Sequence, residues 1–259
     1  MKKTATLVLA TFWMFMVPSL AHAITVDGKM GDWGVSPDVY ASSQWTPTAG
    51  IQSVVEDYDP ATQNGGYLNP GYGGQLFDAE AMYATFDSTT FYYAVVTGQP
   101  PQGASGYKPG DIAFDFGSDG SYEYGIETTG NAGNTVGKLY PVLTWNYGLW
   151  DAIGNYNPSA NYQPTDMASV GGALGTGSLY YGDALAADGS TLPGDHYVIE
   201  GSIPISALGY GKQFTMSWTE TCGNDVIQLR SFTPTPEPAS MVLFGIGLAG
   251  LGFIRRKQA

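Results

Sequence analysis

The sequence predicts an all-β protein, an antiparallel β-sandwich with long loops. Aromatic and β-branched residues recur in short runs of alternating polarity. Glycine and proline, 36 and 16 of the 259 residues, punctuate those runs at turn positions. No long stretch places apolar residues at helical spacing, so helix is a minor component.

The chain order supports this in sequence. Residues 1–23 read as a secretory signal peptide rather than as part of the fold: Lys2 and Lys3 supply the positive start, residues 7–17 are apolar, and Pro18 precedes the small-residue site Ala21-His22-Ala23. The apolar stretch is short for a bilayer span, which needs ~20 residues. Residues 24–232 are long enough for one sizeable core and are read as a single domain. Residues 81–86 and 90–97, joined by Asp87-Ser88-Thr89, form a hairpin. A second hairpin sets Ile112, Phe114 and Phe116 against Asp111, Ala113 and Asp115. After Gly117-Ser118-Asp119-Gly120 it returns with Tyr122, Tyr124 and Ile126 on one face and Glu123 and Glu127 on the other. Residues 139–145 form a strand that Pro141 assigns to an edge. Residues 148–192, rich in Gly, Asn, Pro and Ser, are expected to hold long loops or an inserted hairpin. Tyr197, Ile199 and Ile203 alternate with Val198, Glu200 and Ser202; residues 205–209 then make one helical turn closed by glycine. Phe214, Met216 and Trp218 alternate in the next strand, and residues 226–232 form the last.

Charge and cysteine narrow the function. The body carries 22 of the 23 acidic residues against five basic ones, Lys29, Lys108, Lys138, Lys212 and Arg230, which leaves it at −17. That balance repels nucleic acid and anionic lipid, and it leaves carboxylates free for divalent cations. Cys222 is the only cysteine, so an intrachain disulfide is excluded. It is read as a small buried group in a tight turn.

The C-terminal segment, residues 233–259, is a second export feature. A proline-rich break containing Pro236-Glu237-Pro238 leads into an apolar stretch over residues 241–254, closed by Arg255-Arg256-Lys257. The apolar stretch is brief for a membrane span, although snorkelling arginines extend it, and basic residues favour the cytoplasmic side. Gly245, Gly247 and Gly250 satisfy a dinucleotide-type glycine spacing, but no strand precedes them and no acidic residue follows; they suit close packing of a membrane helix instead. This three-part order closely resembles the PEP-CTERM sorting tail, with Pro236, Glu237, Pro238, Arg255 and Arg256 as its signal residues. The resemblance implies a short transmembrane sorting helix, transient passage through the inner membrane, processing by an exosortase-type transpeptidase, and a destination at the cell surface or in the extracellular matrix.

The body has a resemblance of its own. Residues 24–28 (Ile-Thr-Val-Asp-Gly) followed by Asp32-Trp33 are similar to the opening of family-nine carbohydrate-binding modules and DOMON-like sandwiches. Residues 77–81, 115–125, 197–200 and 203–209 supply later counterparts, while the middle of the chain is unmatched. Residues 221–225 (Thr-Cys-Gly-Asn-Asp) resemble a segment that recurs shortly before PEP-CTERM tails.

Two candidate sites follow. Trp145, Tyr147 and Trp150, with Tyr156 and Tyr162 downstream and Asn146, Asp151, Asn155 and Asn161 around them, have the makings of a sugar-stacking platform with a hydrogen-bonding rim, though the same rings could fold inward as core. Trp33 is read as structural. Asp115 and Asp119, with Asp27 and Glu80 as further donors, are the candidate calcium ligands. The loop is not an EF-hand, because it lacks the third-position oxygen and places Ile126 where the bidentate Glu belongs, and a plain turn explains Asp119-Gly120 equally well. Catalysis is disfavoured. The body's one histidine, His196, reads as a surface residue and rules out a zinc cluster, and no pair stands out among Glu123, Glu127, Glu200 and Glu220 for glycoside hydrolysis. The expectation is a non-catalytic protein that binds extracellular polysaccharide. The alternatives are a purely structural surface or biofilm protein, a glycoside hydrolase, and a DOMON-like cofactor binder relying on Met30, Met82, Met167, Met216 and His196.

Overall fold

The computed structural model describes residues 24–35, 45–56, 74–130, 133–151, 154–192, 196–209 and 211–232. The segment read as a signal peptide and the sorting tail lie outside the described residues. Among the described residues no helix is long and apolar enough to cross a membrane.

Alternation of apolar residues builds two antiparallel sheets packed face to face. The five-stranded sheet runs β1 (Gln52–Val55), β2 (Ala79–Phe86), β3 (Thr90–Thr97), β10 (Tyr197–Pro204), β9 (Ser178–Asp183). The seven-stranded sheet runs β12 (Val226–Phe232), β11 (Phe214–Thr219), β4 (Ile112–Phe116), β5 (Tyr124–Ile126), β6 (Lys138–Tyr147), β7 (Pro164–Val170), with β8 (Gly175–Thr176) also on β6. One helical turn, α1 (Ile205–Leu208), ends at Gly209, whose φ is 86°. Both expected hairpins form: β2 and β3 pair Phe86 with Phe91, and β4 and β5 pair Ile112 with Ile126. In the first turn Asp87 Oδ1 accepts the Thr89 and Thr90 amides at 2.7 and 2.8 Å, which shapes its three residues.

The inward residues of both sheets form one core. Met82, Phe91, Tyr93, Val95, Ile199 and Ile203 meet Ile112, Phe114, Phe214, Met216, Trp218 and Ile227. Phe91, Phe114 and Phe214 contact one another edge to face, with centroids 5.4 to 6.2 Å apart.

The other face of the five-stranded sheet is buried as well. Ala81, Tyr83, Ala94, Val96 and Val198 pack under Ile24, Met30, Trp33, Val35 and Trp45, which form a second apolar cluster. Glu200 fastens this cover. Its Oε2 accepts the amides of Asp27 and Gly28 at 2.9 and 2.7 Å, and its Oε1 accepts the Trp33 indole N–H at 2.8 Å. Burial is the largest effect on this carboxyl and carries it up to about 6, against the pull of those three donors. The opening motif and the β10 motif thus touch in space, and Trp33 is structural.

Two expectations are corrected. β6 is interior rather than an edge strand, because β5 lies on one side and β7 and β8 on the other. Pro141 is tolerated because it falls where that second side changes hands: β8 pairs Lys138 and Leu139, and β7 pairs from Val142 onward. His196 is buried rather than superficial. Its Nδ1 sits 2.6 Å from Glu80 Oε1, and its ring meets Trp45 edge to face. In the stretch expected to be loops or an insertion, a long loop leads to β7, and the β8–β9 run crosses from one sheet to the other.

Candidate functional site

The outer face of the seven-stranded sheet is polar where the five-stranded sheet's is apolar. Alternation sends Asp115 from β4, Thr215 and Ser217 from β11, and Gln228 and Arg230 from β12 to the side opposite the core. Together with Ser118, Gly120, Tyr122, Asn161, Tyr162 and Gln163 these residues border a cleft of about 450 Å³. Its wall of Asn161, Tyr162 and Gln163 comes from the loop ahead of β7. Tyr122 precedes β5 and does not share the inward face of Tyr124; its hydroxyl accepts Gln228 Nε2 at 3.0 Å. Burial raises the Tyr122 hydroxyl above its ordinary value, so it stays neutral.

One end of this face is roofed by the β6–β7 hairpin. Trp145 lies over Gly125, where a Cβ would come within 2.7 Å of Trp145 Cη2 and 2.6 Å of Met167 Sδ. The Trp145 indole N–H donates to the Tyr122 carbonyl at 2.8 Å. Deeper under the roof, Asp111 receives the amides of Thr128 and Met167 at 3.0 and 2.9 Å. The three aromatics expected to form a platform therefore sit in different settings. Trp145 is a half-buried covering side chain, Tyr147 pairs with Pro164 at the hairpin's end, and Trp150 meets the 66% exposed Tyr156 edge to face at 5.5 Å. Tyr162, 41% exposed, is the ring on the cleft itself.

Asp115 and Asp119 come together with Glu123, their carboxylate oxygens within 4.8 Å of one another. Glu123 was not among the expected ligands, though its place directly after the Gly120 turn made the approach readable. Backbone amides also use this group: Asp115 accepts those of Asp119 and Gly120 at 3.1 and 2.8 Å, and Glu123 accepts that of Phe116 at 2.8 Å. The three carboxylates offer hard oxygen donors of the kind calcium takes, and they also shape the turn. Asp27 and Glu80 do not join them. Asp27 pairs with Lys29 at 2.9 Å on the amino-terminal cover, and Glu80 faces His196.

Several carboxyls are fully buried between the layers. Asp225 accepts the Ala79 amide at 2.8 Å and has the Asp78 carboxyl as its neighbouring charge. Burial, then the neighbouring carboxylate, raises both Asp225 and Glu220 well above the usual range. Asp225 also ends the Cys-Gly-Asn-Asp segment, whose roles are structural. Cys222 Sγ contacts Asn224 Oδ1 at 2.8 Å, its carbonyl accepts the Leu149 amide at 2.7 Å, and Gly223 lies against Gly148. Burial pushes the Cys222 thiol up to about 12, which leaves it protonated and inert. The methionines are dispersed. Met82 and Met216 lie in the central core, Met30 under the cover and Met167 over Gly125.

The carboxyl-terminal segment settles where this protein goes. Residues 234–257 match the PEP-CTERM protein-sorting motif. A PEP-CTERM motif marks proteins that are exported and sorted by exosortase to the cell surface or extracellular space, and Pro236, Glu237, Pro238, Arg255 and Arg256 fall inside the matched span. The PEP-CTERM match covers the tail and says nothing of the sandwich that precedes it. No curated protein matches the chain.

Proposed function

We propose that the sandwich is the cargo of this sorting signal, a non-catalytic module that holds polysaccharide in the extracellular matrix once exosortase has removed the tail. The observation that carries the reading is the contrast between the two sheets. The five-stranded sheet is sealed by an apolar cover, whereas the seven-stranded sheet keeps an outer cleft of about 450 Å³ edged with tyrosines, amides and hydroxyls. Such groups stack on sugar rings and bond to their hydroxyls. The resemblance of the body to carbohydrate-binding modules agrees with this. Glu200, Glu220 and Glu127 are committed to backbone or side-chain partners inside the fold, which favours binding over hydrolysis. Calcium is proposed for Asp115, Asp119 and Glu123, beside the cleft.

The rival is a matrix protein held by neighbouring proteins alone. Fractionation separates the two. Processed protein, beginning near Ile24 and lacking residues beyond the Pro-Glu-Pro segment, should accompany the matrix polysaccharide and be released when that polysaccharide is enzymatically depolymerised. Retention after complete depolymerisation would favour the rival.

A further inference from the structure

We infer that the cleft takes an uncharged polysaccharide chain, with Tyr162 as its stacking ring and Arg230 as its principal donor. The inference rests on the polysaccharide reading above and assigns it a place and a ligand class.

The floor of the cleft is assembled in advance. Gln228 Nε2 lies 3.0 Å from Tyr122 Oη, 3.4 Å from Gln163 Oε1 and 3.5 Å from Ser217 Oγ. Its Oε1 accepts Arg230 Nε at 3.2 Å and Nη2 at 2.8 Å. A guanidinium has five N–H donors, so those not engaged by Gln228 remain for a ligand. An exposed arginine would ordinarily sample many rotamers; one clamped by an amide loses less entropy on binding. The clamp costs two donors, and a ligand that accepts from the others recovers the benefit.

Charge decides the class. Among the described residues Arg230 is the one cation on the cleft, and Asp115 lines the same walls with Asp119 and Glu123 beside it, three carboxylates that a bound calcium ion would still leave net negative. The body as a whole stands at −17. An acidic polysaccharide would meet repulsion from the cleft and from the molecule. A neutral sugar hydroxyl both accepts and donates, so it can face Arg230 with its oxygen and Asp115 with its proton. The volume lies within the roughly 300 to 1,000 Å³ of small-ligand sites. Tyr162, on the open rim, offers an apolar ring face without being needed by the core.

The test is affinity electrophoresis of the purified processed protein in gels containing laminarin, galactomannan or hydroxyethylcellulose, with alginate and polygalacturonate as acidic counterparts. At least one neutral polymer should retard the protein, equally at low and high salt, since no net charge is neutralised. Tyr162→Ala and Arg230→Gln should each weaken retardation about tenfold with unchanged melting curves. Both side chains are exposed, and Tyr162→Ala alone carries the test if Arg230→Gln lowers the melting temperature. Retardation by the acidic polymers only, lost at high salt, would leave polysaccharide binding standing and overturn the neutral class. Neutral retardation that survives both substitutions would overturn the cleft as its place. No retardation by any polymer would overturn the inference together with the reading it rests on.

Discussion

Glu200 shows how one carboxylate fastens a segment to a sheet. It is the acceptor for two backbone amides and one indole from residues 27–33. An orphaned buried donor costs about 1 to 3 kcal/mol, so Glu200→Ala should lose on the order of 3 kcal/mol after partial rescue by water. Melting curves check the loss, and acrylamide quenching should show Trp33 newly exposed. An unchanged melting temperature would mean that the apolar contacts alone hold the cover. The sequence placed Glu200 on the face of β10 away from Ile199 and Ile203, and that alternation was correct. Its burial was not legible, because the group that buries it lies over 160 residues away and has no periodicity of its own. Tyr162 was named only as a downstream member of the aromatic platform, and its partnership with Arg230 was obscure for the same reason: one is in a loop, the other on the last strand, and only the sheet order makes them neighbours.

At the scale of elements, alternation of polarity located both hairpins, β10, β11 and β12, where period-2 patterning faces a single core. It missed β1, too short to show a pattern, and it misplaced β6, because a proline rules out an interior position only where both sides of the strand are continuously paired. The turn between β11 and β12 is a tight contact between elements. Gly223 has φ of 69°, and a Cβ there would lie 2.7 Å from Gly148 Cα at the start of the long loop. Gly223→Ala should therefore destabilise by more than about 1 kcal/mol, read as a lower denaturation midpoint with faster proteolysis between residues 149 and 163. A midpoint within error of wild type would show that the loop is not clamped there. The β4–β5 turn makes a second prediction. If Asp115, Asp119 and Glu123 hold calcium, the ion stabilises the fold by about 2.7 kcal/mol at a hundredfold excess over Kd. Asp119→Asn should abolish the rise in melting temperature seen with calcium against EDTA. Equal melting of wild type with and without calcium would leave these carboxylates with turn-shaping as their role.

For the whole molecule, charge and burial act together. A carboxyl whose folded value is raised contributes stability that is complete below its unfolded value and is lost as pH rises through the folded one. Glu200 does so between 4.5 and about 6, a loss of about 2 kcal/mol, and the raised Asp111, Glu220 and Asp225 act with the same sign. The repulsion within a body at −17 also grows as carboxyls ionise. The melting temperature should thus be highest in mild acid and fall toward neutrality, and a steady rise toward pH 7 would contradict this account of the buried acids. Export was the most legible property of the chain, since a linear order of proline break, apolar stretch and basic stop needs no fold to be read. The polar cleft was not, because it exists only after β12, β11 and β4 are laid side by side. The central claim is that this face holds matrix polysaccharide, and its most direct test is affinity electrophoresis of the processed protein in polysaccharide from the producing cells. Mobility should fall as polysaccharide is added and recover with Tyr162→Ala; mobility independent of the polysaccharide would contradict the claim.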